Sequence, residues 1–207
     1  LPWRDQPLGA NVQKAVDLAT SLGNLRVVVN CAGVAQREGE SRMDLVARNV
    51  KIFESINREV MSHGFNGVYV VATNPVDVLS YVTWKQTGLP SNQVLGSGTV
   101  LDTARWRHNL GQFFDIAPSA VHTYIIGEHG DSELPVLSSG SVGGVPLRAL
   151  LETEAETNPK IYDDIDEMFV RTRDAAYDII KRKGNTSFGI GSALARITRA
   201  LFRNENV

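Results

Sequence analysis

Apolar and polar positions change in blocks along this chain, and the blocks alternate between a strand pattern and a helix pattern. Residues 26–30 and 67–71 are short, mostly β-branched runs, which are typical of strands buried on both faces of a parallel sheet. Apolar side chains at helical spacing predict helices over residues 10–22, 41–63 and 75–87. This order predicts an α/β fold whose ligand crevice lies at the carboxyl ends of the parallel strands.

The pattern changes around Gly96-Ser97-Gly98, and we place a domain boundary there. Short extended segments and long helices follow, which is the pattern of an α+β domain. The predicted elements are helices over residues 99–114, 159–183 and 190–201, one buried strand over residues 121–126, and an extended stretch over residues 135–147.

A histidine between two glycines follows the apolar run at residues 121–126. At a strand end, His129 would face a cleft and act as an acid or base, whereas the alternative is an exposed loop histidine. Asp102 and Arg105 lie three residues apart and therefore share one face of the predicted helix. The carboxylate would orient His129, and the guanidinium would bind a substrate carboxylate.

The composition and charge of the chain limit the classes of macromolecular partner and the cellular compartment that we expect. With 21 basic and 23 acidic residues the net charge is -2, so no basic field favours nucleic acid or an anionic membrane. No apolar run is long enough for a membrane span, and the first residues lack the layout of a signal peptide. The single cysteine, Cys31, is predicted to be a buried small residue, and a reducing cytoplasm is the expected compartment.

Together with the segment at residues 36–42 and Asn74-Pro75, these features resemble the family of L-lactate and malate dehydrogenases over residues 26–207. The resemblance implies a partial Rossmann-type parallel sheet in residues 1–98, followed by an α+β substrate and catalytic domain in residues 99–207. It implies NAD as cofactor, a small 2-hydroxy acid as substrate, and a homo-oligomer. It also implies that a hydride passes between the nicotinamide and C2 of the acid.

The resemblance assigns roles residue by residue. His129, Asp102 and Arg42 would be catalytic, with Arg42 polarising the substrate carbonyl. No metal site is predicted. Substrate contacts fall on Gln36, Arg42, Asn74, Arg105 and Thr186, and cofactor contacts on Gly33, Val34, Ser55, Ala72, Thr73, Asn74 and Ser97.

Several of these residues have a simpler interpretation. Arg42 would be an ordinary charge in the first turn of a helix, although the helix dipole disfavours a cation there. Asn74 and Thr186 would be helix N-caps. Neutral Gln36 favours pyruvate, because malate enzymes of the family carry arginine at that position to pair with a second carboxylate; a shift of one residue would present Arg37 instead.

Arg107 and His122 match a pair that binds fructose 1,6-bisphosphate between subunits in allosteric bacterial members of the family. Two cations facing two more across a twofold axis would form a phosphate site. The alternative is that Arg107 is a solvated helix charge and that His122 only ends a strand. Both interpretations stay open at this stage.

The family's Gly-x-Gly-x-x-Gly fingerprint is absent from the sequence, and residues 1–25 do not resemble the family segment expected there. We therefore expect weak cofactor binding and a chain that ends before the family's catalytic domain closes. Malate dehydrogenase activity and a structural or disabled subunit are the alternatives. A chimera with a short-chain dehydrogenase rests on the formal match of Tyr177 and Lys181, which i,i+4 pairing within a helix explains equally well.

Overall fold

The computed structural model describes residues 14, 17, 25–34 and 41–206 and divides the chain into two compact units, residues 1–97 and 98–207. The helix predicted over residues 10–22 lies outside the described residues, apart from helical backbone at Lys14 and Asp17. Within the described part of the chain, no helix has the length and apolar character that crossing a bilayer requires.

The first unit contains a parallel sheet with the strand order β1-β2-β3, and this confirms the predicted α/β class. The strands are β1 (Val27–Asn30), β2 (Val68–Val71) and β3 (Val94–Gly96). Only β2 is covered as predicted. Val29 in β1 is 38% exposed, and β1 has one strand neighbour among the described residues.

Two helices with bounds in the described residues, one after β1 and one after β2, pack in this unit. Helix α1 (Arg42–Ser62) begins with a capping box, in which the Ser41 hydroxyl accepts from the Asp44 backbone and the Asp44 carboxylate accepts from the Ser41 backbone. Helix α2 (Val76–Thr87) ends at Gly88, whose φ of 68° is left-handed and favours glycine. The apolar core of the unit includes Phe53, Ile56, Val60, Tyr69, Val71, Val76 and Leu79.

Two local predictions in this unit are wrong. Pro75 is the N-cap rather than the first helical residue, because its backbone is extended (φ −74°, ψ 114°) and α2 begins at Val76; Asn74, joined to Pro75 by a cis peptide, is therefore not the N-cap. Cys31 is exposed rather than buried, since β1 ends at Asn30 and Cys31 lies in the loop that follows.

The second unit combines four helices with two small sheets, as described for residues 98–206. The helices are α3 (Val100–Phe113), α4 (Leu147–Glu154), α5 (Ile161–Lys183) and α6 (Phe188–Arg203). The strands are β4 (Val121–His122), β5 (Ile125–Ile126), β6 (Leu134–Pro135), β7 (Ser141–Val142) and β8 (Val145–Pro146).

The single buried strand predicted over residues 121–126 is wrong. The segment is split into β4, which pairs antiparallel with β7, and β5, which pairs antiparallel with β6. Val121, Thr123 and Ile125 are buried, whereas the residues between them are exposed, so only one face of the segment is covered. Buried and exposed side chains therefore alternate along this segment. The sequence does not show this alternation, because some of the exposed side chains are also apolar. The core of this unit includes Trp106, Leu110, Val121, Ile125, Leu147, Leu151, Ile161 and Ile165.

The core of the first unit provides a stability test on α2. Leu79 is fully buried, whereas its neighbour Val78 is 39% exposed. We expect Leu79→Ala to lower the free energy of unfolding by about 3 kcal/mol, because it leaves a cavity, and Val78→Ala to lower it by less than about 1 kcal/mol. Urea unfolding followed by circular dichroism measures both values. Equal losses in the two variants would contradict this packing.

Candidate active site

His129 and Asp102 form a hydrogen-bonded pair in the second unit. The distance from His129 Nδ1 to Asp102 Oδ2 is 2.7 Å, and the side chains are 26% and 2% exposed. Asp102 lies in the first turn of α3, where the helix dipole favours a negative charge. His129 lies in the loop between β5 and β6, flanked by Gly127 (φ 95°) and Gly130 (φ 145°), whose positive φ values let the chain turn sharply.

Two threonines, one at the N-cap of α3 and one in its first turn, hold this loop against the helix. Thr99 Oγ1 donates to the Ile125 carbonyl at 2.6 Å, and Thr103 Oγ1 accepts from the Ile125 N–H at 3.0 Å. The backbone of Ile125 in β5, three residues before Glu128, is therefore fixed to the helix that carries Asp102. Sequence reasoning missed both threonines; their one signal is the i,i+4 spacing around the acidic residue.

Arg105 lies beside the pair, as the helix spacing predicts. Its Nη1 is 3.4 Å from Asp102 Oδ1, and the side chain is partly exposed. The start of α6 is close by: a Cβ added at Gly189 would lie 3.1 Å from Leu101 Cδ1 and 3.9 Å from Arg105 Nη2. Thr186, half-buried in the loop before α6, is three residues away from this contact. A guanidinium close to a helix N-terminus is suited to binding an anion.

A second acidic residue, Glu133, adjoins the pair and was not predicted. One carboxyl oxygen of Asp102, one ring nitrogen of His129 and one carboxyl oxygen of Glu133 lie within 4.8 Å of one another. Glu133 is buried. The pKa of Glu133 is raised to about 7, chiefly by burial and next by the negative charge of Asp102. His129, a hydrogen bond from the Gly130 backbone and Arg173 partly offset this rise. These residue types also bind metals, but the short hydrogen bond already joins two of the three.

In the first unit, a buried asparagine organises the loops at the strand ends. The Oδ1 of Asn49, which is fully buried on α1, accepts from the Val34 N–H at 2.9 Å, and its Nδ2 donates to the Asn74 carbonyl at 3.4 Å. Sequence reasoning missed Asn49, whose signal is a polar residue on the apolar face of an amphipathic helix. The loop after β1 and the loop after β2 are thereby held together.

Glycine is required where these two loops meet. A Cβ added at Gly33 would lie 2.3 Å from Thr73 Cγ2, so any larger residue would push the loops apart. The Thr73 hydroxyl donates to the Ala32 carbonyl at 2.8 Å, and the Ala72 N–H donates to the Asn30 carbonyl at 3.0 Å. The predicted cofactor residues from both loops are therefore neighbours in the structure.

The remaining residues predicted to bind cofactor or substrate differ in burial, and some lie outside the described part of the chain. Ser97 is buried and its N–H donates to the Val71 carbonyl at 2.8 Å, whereas Ser55 is exposed on α1 and Asn74 is exposed in its loop. Arg42 is the first residue of α1, and its side chain lies outside the described residues. Gln36 also lies outside them, so the predicted contacts of these two side chains stay predictions.

Arg107 and His122 lie on adjacent elements of the second unit. The Arg107 Nε donates to the Thr123 carbonyl at 2.8 Å, and its guanidinium lies 4.7 Å from the centre of the Tyr124 ring. His122 is exposed on β4. Arg107 is therefore not simply a solvated helix charge, because its guanidinium fixes the segment that follows His122.

Tyr177 and Lys181 do not form a recognisable short-chain dehydrogenase site. Both lie on the long helix α5, and the Tyr177 hydroxyl donates to Asp131 Oδ1 at 3.1 Å. The interpretation of their spacing as i,i+4 neighbours on a helix is therefore confirmed.

Comparison with known proteins identifies two matching family models. Residues 5–96 match the lactate/malate dehydrogenase NAD binding domain, and residues 99–207 match the lactate/malate dehydrogenase alpha/beta C-terminal domain. The first match includes most of the segment at residues 1–25, which carries none of the motifs quoted above.

Individual proteins give the same result. The chain is 54% identical over 207 residues to an L-lactate dehydrogenase of Corynebacterium jeikeium and 56% identical over 180 residues to one of Geobacillus thermodenitrificans. It covers 61% and 56% of these relatives, so the chain spans little more than half of their length.

Two solved structures are also similar. The first is MGS-M5, a lactate dehydrogenase from a deep-sea metagenome library, with a TM-score of 0.83 and 42% identity over 94% of this chain and 66% of that one. The second is the minor L-lactate dehydrogenase of Enterococcus mundtii, with a TM-score of 0.81 and 41% identity over 87% of this chain and 56% of that one.

The position of Asn49 generates a prediction for the loop after β1. Asn49→Ala removes the acceptor of the Val34 N–H, so we expect amide exchange at Val34 to become faster by about tenfold or more. Hydrogen exchange followed by NMR measures this rate. Asn57→Ala is the matched control, since Asn57 is equally buried on α1 but donates to Gln86 on α2 at 2.8 Å. If both variants change the Val34 rate equally, Asn49 has no specific role in the loop.

Proposed function

Because the chain belongs to the lactate/malate dehydrogenase family, we propose that it interconverts pyruvate and L-lactate with NAD as the oxidant and NADH as the reductant. The observation that carries the proposal is the 2.7 Å hydrogen bond from His129 Nδ1 to the buried carboxylate of Asp102. The choice of pyruvate over oxaloacetate is supported by neutral Gln36 and by the L-lactate dehydrogenases among the relatives.

His129 transfers the proton. With Nδ1 carrying its proton toward Asp102, Nε2 is the ring atom that donates a proton to the substrate oxygen during reduction and removes it during oxidation. The Asp102 carboxylate fixes this tautomer and stabilises the imidazolium by its negative charge. Since Asp102 is buried, that interaction is weakly screened by solvent.

The substrate carboxylate binds Arg105. A guanidinium offers two parallel N–H donors to a carboxylate, and the partly exposed side chain of Arg105 leaves room for such a partner. Arg42 polarises the substrate carbonyl and stabilises the negative charge that develops on its oxygen. Gln36, Asn74 and Thr186 complete the substrate contacts, as the family resemblance implies.

The cofactor site is proposed at the strand ends of the first unit. Gly33, Val34, Ala72, Thr73, Asn74 and Ser97 lie there and would hold NAD, together with Ser55 from α1. These residues fit a dinucleotide in two respects: they follow the carboxyl ends of parallel strands, and the Asn49 hydrogen bonds fix the loops in advance. When bound, the nicotinamide supplies or accepts the hydride.

Assembly and regulation follow from the same resemblance. We propose a homo-oligomer in the cytoplasm in which Arg107 and His122 contact the phosphates of fructose 1,6-bisphosphate. Exposed His122 supports this assignment, as does Arg107, which binds the carbonyl of the residue that follows His122. The alternative is a structural role of Arg107 alone, because its guanidinium already packs on the Tyr124 ring.

Turnover of pyruvate with NADH, followed by absorbance, tests the proposal. We expect His129→Asn to lower kcat by about 10³-fold, because asparagine cannot exchange a proton with the substrate. His108→Asn is the control, since His108 is an exposed histidine on α3, the helix that carries Asp102. We also expect pyruvate to be preferred over oxaloacetate.

Two results would contradict the assignment. One is turnover by the His129→Asn variant at the rate of the unsubstituted chain. The other is a preference for oxaloacetate, which would place a cation at the position assigned to Gln36.

A further inference from the structure

The cluster around His129 contains one group that the proposed reaction does not use, the buried carboxyl of Glu133. We propose that Glu133 is a positioning residue that sets how strongly His129 holds its proton, so that Asp102, His129 and Glu133 bind protons as one coupled cluster. This inference rests on the proposed function of His129 as the acid/base and adds a second carboxyl group to its control.

The geometry supports direct coupling. Glu133 is 3% exposed, and one of its carboxyl oxygens lies within 4.8 Å of a ring nitrogen of His129 and of a carboxyl oxygen of Asp102. Glu133 Oε1 is buried and has no hydrogen-bond partner among the described residues. The backbone is held by the hydrogen bond from the Glu133 N–H to the Gly130 carbonyl at 3.1 Å. At such distances and with little solvent, two ionisable groups strongly influence each other's charge.

The surrounding charges are of both signs. Asp102 and Arg105 face the cluster from α3, and Arg173 acts on Glu133 from α5, although its guanidinium is 2.8 Å from Asp174. The loop itself contributes His129, Glu128 and Asp131; of these, Asp131 also acts on Arg173 and accepts from Tyr177. Asp102 is the buried anion of the group, so a second anion at Glu133 is unfavourable unless His129 is protonated.

The sign of the effect follows from the charge states. The pKa of Glu133 is raised to about 7, so the carboxyl is neutral below that pH and an anion above it. Above that pH, the Glu133 anion stabilises the imidazolium of His129, which therefore keeps its proton to higher pH. Removing the charge of Glu133 is expected to make His129 release its proton at lower pH.

A purely structural role makes a different prediction. Glutamine has the shape of glutamate and retains an oxygen that accepts a hydrogen bond, so Glu133→Gln preserves packing and the contact with the Gly130 backbone. If Glu133 only shapes the turn, this variant leaves the titration of His129 unchanged. If Glu133 sets the proton affinity, the titration changes although the fold is the same.

The experiment is an NMR pH titration of the histidine rings in the 207-residue chain, which needs neither substrate nor turnover. The four histidines are followed in ¹H–¹⁵N spectra, and His129→Asn identifies the His129 signals. We expect Glu133→Gln to lower the titration midpoint of His129 by about one pH unit and to leave the other three unchanged. Glu128→Gln is the matched control, because Glu128 is an exposed carboxylate beside His129; solvent screening should limit its effect to a small fraction of that shift.

Two results would overturn the proposal: an unchanged His129 midpoint in Glu133→Gln, or an equal shift in Glu128→Gln. If Glu133→Gln does not fold, the infrared C=O band of a protonated carboxylic acid is measured in the unsubstituted chain against Glu133→Asp. A buried acid band that disappears near pH 7 and changes in the variant supports the proposal, whereas its absence overturns it. Because no readout depends on pyruvate, failure of the proposed reaction is distinguishable from failure of this inference.

Discussion

The hydrogen bond between Asp102 and His129 joins a helix to a hairpin loop 27 residues further along the chain. A carboxylate buried as deeply as Asp102 is costly unless hydrogen bonds and opposite charges replace the water it has lost. The N-terminal turn of α3, the imidazole and Arg105 supply that compensation. Removing any one of them would leave a buried charge poorly compensated, so the surrounding structure depends on all three.

The hairpin loop keeps its place because two hydroxyl groups bind its backbone. The Thr99 hydroxyl donates to the carbonyl of Ile125, and the Thr103 hydroxyl accepts from the N–H of the same residue. Two hydrogen bonds therefore attach β5 to α3. An acid/base on a free loop would sample many orientations. Here the loop is short, begins at a fixed strand, and turns at two glycines with positive φ, which restricts where the imidazole lies.

The helices and the parallel strands were predictable because their apolar positions repeat with the period of the element. The proximity of Asp102 and Arg105 was predictable because residues three apart share one face of a helix. The pairing of Asp102 with His129 was predictable because His129 follows the end of a predicted strand, where its ring could face a cleft. The division of residues 121–126 into two strands was not predictable, since Ile126 is apolar but exposed and conceals the alternation. The position of Pro75 was missed by one residue for a similarly local reason, its extended backbone.

Glu133, Asn49 and the two threonines were missed for a common physical reason. Each is a polar residue that lies beside polar atoms of a segment distant in the sequence, and hydrophobic periodicity contains no information about which buried polar groups will meet. Buried polar groups nevertheless require partners, so a polar residue within an apolar face indicates a specific contact rather than noise in the pattern. Asn49 on the apolar face of α1 is one such case.

The chemistry of the second unit is concentrated on α3 for a geometric reason. Asp102, Thr103 and Arg105 lie in the first two turns of one 14-residue helix, and Thr99 is its N-cap. The helix backbone therefore fixes their relative positions more precisely than a loop would. His129 and Glu133 come from the loop that those threonines hold. An error in the placement of the loop would therefore displace the imidazole and the second carboxyl together, while the carboxylate and guanidinium of α3 kept their spacing. The site therefore has two parts. The charged groups of α3 are fixed by the helix, whereas the positions of His129 and Glu133 depend on the hydrogen bonds of two threonine hydroxyl groups.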